Sequence, residues 1–239
     1  MNEYEIERCK AFDENYKSVL SRLNTAAEKS GRKPEEITLL AATKTVEPAV
    51  ISHAFESGIN YMGENRVQEF LSKESELPDK MHKQFIGTLQ TNKVRQIVGK
   101  VELIQSVDSI KLAKEISRQS KMRGITTDVL VEINIGNEIS KSGIEQEELG
   151  EFLGELAGIE SIFVRGLMTL GPVGAEMSKK ISIFTKMNKL FVDNRAKKAD
   201  NISMDILSMG MSDDFDLAVE CGSNMVRVGT ALFGHRNYL

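Results

Sequence analysis

A chain of 239 residues with 41% hydrophobic and 28% charged content has enough apolar material for one sizeable core and enough charge for a water-facing surface. The 31 Lys and Arg against 35 Asp and Glu leave a formal net charge of -4, so neither nucleic acid nor an anionic membrane is expected as a partner. No apolar run approaches the roughly 18 residues of a membrane span, and the N-terminus MNEYEIERCK lacks the apolar core of a signal peptide, so a cytoplasmic protein is expected.

From Tyr4 to Ser30 the apolar residues Ile6, Cys9, Phe12, Tyr16, Val19, Leu20, Leu23 and Ala27 recur at spacings of three and four. That period predicts an amphipathic helix, closed by Gly31 and Pro34, packed on the outside of the fold or plugging its bottom. Residues 37–42 are a short apolar run of the kind buried on both faces of a strand, ending at Thr43-Lys44-Thr45. Pro48 then opens a helix whose inward face is Val50, Ile51, Ala54 and Phe55.

The unit recurs along the chain. A strand over 60–62 ends at Gly63-Glu64-Asn65, before a helix carrying Val67, Phe70 and Leu71. One over 84–86 ends at Gly87, with His82 in the polar connection before it, and Thr88 to Lys93 lead into a helix. The strand over 103–105 runs to Ser106 and Asp108 and a helix over 109–122. Strand 128–133 opens into a polar loop and a Glu-rich helix; strand 162–167 ends at Met168-Thr169, before a long helix to about Lys198. Strand 202–207 stops at Ser208-Met209-Gly210, after which Ser212, ahead of Asp213 and Asp214, suits the N-cap of a helix ending near Cys221-Gly222. Strand 225–228 gives way to Gly229-Thr230 and a short helix from Ala231.

Strict alternation of strand and helix implies a parallel sheet, and eight units in about 250 residues is the size of a (β/α)8 barrel. The fold expected is an α/β TIM barrel with an extra N-terminal helix, one domain over 1–239. A doubly wound open sheet is the alternative, but no GxGxxG or P-loop marks its first turn.

In a barrel the C-terminal strand ends meet at one mouth, which gathers Lys44, Asn65, Ser106, Asp108, Asn134, Met168, Thr169, Ser208 and Gly229-Thr230. A glycine and a hydroxyl residue at a helix start offer unpaired N–H groups to an anion, and the last two loops of a barrel commonly hold phosphate. Lys44 reads equally as a partly desolvated amine able to form a Schiff base or as a lysine paired with Glu64 or Asp108. Arg227, on the same strand face as Gly229, either reaches the ligand or pairs with a carboxylate inside the barrel. Asn65 is a helix cap or a ligand contact, and Ser208 a phosphate contact or a strand end. His53, His82 and His235 share no metal-ligand spacing, and Cys9 and Cys221 read as free thiols.

The series ATKT (42–45), GENRVQE (63–69), FIGTLQTNK (85–93), EISKSGI (138–144), RGLMT (165–169), LSMGMSDD (207–214) and MVRVGTALFG (225–234) resembles the YggS/PROSC family of pyridoxal phosphate homeostasis proteins. These are single-barrel relatives of the alanine racemase N-terminal domain. The resemblance implies that Lys44 holds pyridoxal 5'-phosphate (PLP) as a Schiff base, that Ser208, Gly229 and Thr230 bind its phosphate, that Arg227 faces the pyridine nitrogen and that Asn65 lies near the ring. A cation beside that nitrogen weakens the ring as an electron sink. Racemases of this fold also draw a tyrosine from a second domain; here the chain runs to Leu239, just past the barrel, and none of Tyr4, Tyr16, Tyr61 and Tyr238 evidently opposes Lys44. The resemblance therefore implies a monomeric PLP carrier serving PLP-dependent apoenzymes, not an enzyme. The alternatives are a PLP-dependent amino-acid racemase and a Schiff-base aldolase or phosphosugar isomerase without PLP. Two departures stand out: Thr88 replaces the proline of the motif FIGPLQ, which is expected to loosen a turn, and His235 stands where the family often has Ala or Glu.

Overall fold

A computed structural model of the chain describes residues 1–136, 138, 141–172, 174–195 and 199–234. Each apolar run forms a strand: β1 Thr38–Ala42, β2 Tyr61–Glu64, β3 His82–Phe85, β4 Leu103–Val107, β5 Thr127–Glu132, β6 Ile162–Met168, β7 Ile202–Ser208 and β8 Met225–Val228. They pair in parallel in chain order and close, with β8 returning to β1 through Thr38 opposite Met225 and Leu40 opposite Arg227. The expected TIM barrel is the architecture observed.

Period-two alternation divides the strand side chains into two layers. Leu40, Ala42, Leu103, Leu130, Met168 and Met225 fill the barrel. Their alternates, among them Ala41, Met62, Phe85, Ile104, Val129, Val164 and Val226, pack outward. That outer layer meets the helices α2 Pro48–Glu56, α3 Val67–Lys73, α4 Val94–Ile97, α5 Ile110–Met122, α6 Leu149–Ala157, α7 Met177–Asn194, α8 Phe215–Glu220 and α9 Thr230–Phe233.

The N-terminal helix α1, Glu3–Lys29, starts with a capping box in which Asn2 and Glu5 satisfy each other's backbone N–H. Of the two packings expected for it, the outer one is observed. Asn15 donates to the Leu232 carbonyl at 3.1 Å, Arg22 pairs with Asp216 at 2.9 Å, and the Phe12 ring stacks on Tyr16 at 5.4 Å and Phe233 at 5.5 Å. α1 thus braces the last two elements of the barrel. His82, expected in a connection, instead begins β3, because its ring stacks on Tyr61 at 4.5 Å and pairs with Glu102. Lys197, Lys198 and His235 lie outside the described residues. Among those described, no helix is long and apolar enough to cross a membrane.

Candidate functional site

A cavity of about 260 Å³ opens at the C-terminal ends of the strands, where Lys44, Asn65, Ser212, Arg227, Gly229 and Thr230 meet around Ala42 and Ile86. Five of the six residues expected at a ligand, Lys44, Asn65, Arg227, Gly229 and Thr230, are thereby brought together. Ser208 is not among them.

Lys44 follows β1 in a tight turn closed by the Val46 N–H to the Thr43 carbonyl at 3.0 Å. Glu64, one of the two carboxylates considered as its partner, points the other way. It ends β2 on the outer face of the barrel, accepts from the Thr43 hydroxyl at 2.7 Å and pairs with Lys73 at 2.5 Å. Burial pushes the Glu64 carboxyl up while Lys73 opposes that rise; the close ion pair and the raised carboxyl pull in different directions, and desolvation is the larger. Asn65, the next residue, turns inward by strand alternation, and its Oδ1 is buried with no hydrogen-bond partner among the described residues. Gly87 holds it there by close approach: a Cβ at that glycine would lie 2.2 Å from the Asn65 carbonyl oxygen.

Arg227 is 3% exposed. Its Nη1 donates to Ser208 Oγ at 2.5 Å and its Nη2 to the Thr169 carbonyl at 2.8 Å, so its bonded partners are neutral and the interior ion pair is not formed. Burial draws its guanidinium down to about 10, with Glu132 and Asp214 opposing, which leaves it a cation at neutral pH. Nε has no protein acceptor among the described residues.

Ser208, expected at the phosphate, lies below the cavity lining among other polar side chains. Its hydroxyl is fully buried beneath the mouth, donating to Gln105 Oε1 at 2.7 Å and accepting from Arg227. Gln105 in turn donates to Gln84 at 2.6 Å, so a hydrogen-bonded column rises through the barrel and ends at the guanidinium. The hydroxyl at the start of α9 is that of Ser212, which accepts the N–H groups of Gly229 at 3.2 Å and Ala231 at 3.1 Å. Ser212 was expected as an N-cap, but Asp214 occupies the N-cap position, with no side-chain bond into the helix; its carboxylate accepts the Met211 N–H at 2.9 Å and pairs with Lys180 at 3.0 Å. Gly210, at φ 94°, turns the chain back and delivers Ser212 to the end of β8. The second serine of SMGMS, two residues past that glycine, was the available signal.

Across the mouth, burial pushes up the carboxyls of Glu132 and Asp108; Ser142 donates to Glu132 at 2.9 Å and partly offsets this. Thr88, expected to loosen a turn, lies 3.4 Å from Ser142 through its hydroxyl, tying two mouth loops. Among the described residues no group of three His, Cys, Asp or Glu could hold a metal ion. His53 pairs with Asp13 at 2.8 Å, and Cys9 and Cys221 are free thiols. A larger cavity, about 330 Å³, lies at the opposite end of the barrel. There Arg165 pairs with Asp128 at 3.1 Å and Asp205 at 3.2 Å, His82 meets Glu102 at 2.7 Å, and Glu36 accepts the Lys33 backbone N–H at 2.8 Å.

The chain matches the alanine racemase N-terminal domain model over residues 15–237. It is 42% identical over 226 residues to the pyridoxal phosphate homeostasis protein of Aquifex aeolicus, covering 94% of this chain and 98% of that one. Among solved structures, a protein of unknown function from Bifidobacterium adolescentis superposes with a TM-score of 0.90 at 33% identity, covering 98% of this chain and 97% of that one. PipY of Synechococcus elongatus, solved with PLP bound, superposes with a TM-score of 0.77 at 31% identity, covering 87% of this chain and all of that one, 100%.

Proposed function

The chain belongs to the family of pyridoxal phosphate homeostasis proteins, and from that premise we propose that it binds PLP at the barrel mouth and serves to hold and release it within the cell. The observation that carries this reading is the convergence, in one cavity, of a primary amine, an anion seat and a buried acceptor without a partner.

Those residues fit the cofactor group by group. Lys44 is the amine that takes the aldehyde. The Thr230 N–H at the start of α9 and the hydroxyls of Ser212 and Thr230 receive the phosphate, with Ser212 oriented by the Gly229 and Ala231 N–H groups that it accepts. Arg227 keeps Nε for the ring nitrogen, and Asn65 gains the partner its Oδ1 lacks. When bound, the cofactor supplies an aldehyde that a primary amine captures and a ring whose electron withdrawal depends on a protonated nitrogen. A cation held by two neutral acceptors disfavours that protonation, where a carboxylate would promote it.

Proton traffic is equally restricted. Among the described residues no tyrosine lines the cavity. Tyr61 stacks on His82 at the far end, Tyr16 stacks on Phe12, and Tyr4 accepts from Arg8; Tyr238 lies outside the described residues. Two-base chemistry of the racemase kind, with a tyrosine opposing the lysine, therefore lacks that tyrosine among the described residues. We read the protein as a carrier rather than an enzyme, a monomer that hands PLP to apoenzymes in the cytoplasm, where its two unpaired thiols are at home.

The test is the absorbance of the purified protein before and after borohydride, with the reduced protein digested and the modified peptide located by mass. Yellow colour and a pyridoxyl adduct on Lys44 are expected. A colourless protein that takes up no added PLP overturns the reading. Solvent deuterium entering Cα of a free amino acid at catalytic rates replaces the carrier with a racemase.

A further inference from the structure

Thr45 is one of two non-glycine residues with positive φ among those described, at 62°, and it is β-branched. It sits third in the turn Thr43–Val46, with Lys44 second. Positive φ at the third position alone is the type II pattern, which calls for Gly or Asn there. Strain of this kind survives only where the surroundings impose it.

Helix α3 imposes it. Glu69 accepts the Thr45 N–H, and Lys73, one helical turn further, donates to the carbonyls at both ends of the turn, Thr43 at 2.9 Å and Val46 at 3.4 Å. Lys73 is 4% exposed and is held in turn by Glu64 at 2.5 Å and Glu69 at 3.3 Å. Packing does not require this: apolar side chains fill such a seam between strand and helix as well as a buried ion pair does. What the ions add is a grip on the backbone of the one turn that carries Lys44.

We propose that Lys73 is a positioning residue for Lys44: it clamps the strained turn so that the Lys44 amine is presented to the mouth cavity. The inference rests on the reading of Lys44 as the residue that captures PLP. In that capture the amine nitrogen forms a C=N bond to the aldehyde carbon, and the aldehyde oxygen leaves as water with the two amine protons.

The experiment follows the rate at which added PLP becomes trapped on Lys44 by borohydride, and amide hydrogen exchange over 43–46 in protein without PLP. Lys73→Met alone strands a buried carboxylate, so the main variant is Glu64→Gln with Lys73→Met. Trapping should slow by about 10- to 100-fold, the scale of a misplaced reacting group, and exchange over the turn should accelerate. Adding Thr45→Gly, which adopts positive φ without strain, should recover most of the rate, a rescue that a purely structural lysine would not show. Glu69→Ala, at a half-buried position that endangers the fold less, should slow trapping in the same direction. Wild-type trapping and exchange in both the double variant and Glu69→Ala overturn the clamp while leaving Lys44 as the site. Absence of a Lys44 adduct in the wild-type protein overturns both.

Discussion

The two ends of the barrel each carry a cavity, and the smaller one holds the residues proposed to bind PLP. Around Tyr61, His82 and Arg165 the volume is about 330 Å³, against about 260 Å³ at the mouth. At the first end the side chains engage one another: Arg165 bridges two aspartates, His82 meets Glu102 and Glu36 accepts a backbone N–H. At the mouth Asn65 Oδ1 is buried without a partner among the described residues, and Arg227 is a cation among neutral acceptors. Unmet polar groups are costly in an interior, so they persist where a ligand completes them. The Gln84, Gln105, Ser208, Arg227 column runs between the two cavities, which makes the contrast one of saturation and not of isolation.

Substitutions at the two ends should separate them, beginning with the largest effect. Lys44→Ala should abolish reductive trapping altogether while changing stability by no more than about 0.5 kcal/mol, as expected for a residue outside the core; a melting curve run beside the borohydride assay checks both. Next, Ser212→Ala and Thr230→Ala should each weaken PLP retention by about 1.5–3 kcal/mol, the value of a hydrogen bond to a charged group, read as a rise in Kd with little change in melting. Ser208→Ala should behave differently, lowering the melting temperature, because it strips Arg227 and Gln105 of a buried partner. Equal melting of the Ser208 and Ser212 variants would erase the distinction between support and seat.

Glu132→Gln is a smaller effect with a definite sign. Burial raises the Glu132 carboxyl, so the fold favours its protonated form, and the penalty on stability grows as pH rises from the ordinary carboxylate range through the raised value. The amide removes that penalty and can still accept from Ser142. Its melting temperature should exceed that of the parent at pH 7 and converge with it as the pH falls into the ordinary carboxylate range. At the far end, His82→Ala should leave PLP retention unchanged and cost less than about 1 kcal/mol, as exposed ion pairs do; altered retention would mean that the column couples the two cavities.

Much of the barrel was legible because its signals are local. Short apolar runs ending in polar residues marked the strand ends within two or three residues, and Gly229-Thr230 announced a helix start at the last of them. His82 was misread because a histidine resembles a connection until Tyr61 is known to stack on it. Glu64 was misjudged by face: in a strand each step of one residue reverses the side, so a polar residue at a strand end points to the mouth or away from it according to the register.

The order of strands and helices, and the set of residues gathered at their C-terminal ends, followed from the sequence by itself, since hydrophobic period and turn chemistry act over neighbouring residues. Which serine reaches the anion seat, which carboxylate leaves the mouth for Lys73, and how Thr45 is kept at a strained φ were decided only when distant segments packed. Ser212 lies 17 residues before Gly229 and Lys73 lies 30 beyond Thr43. Only closure of the barrel brings such partners within hydrogen-bond reach.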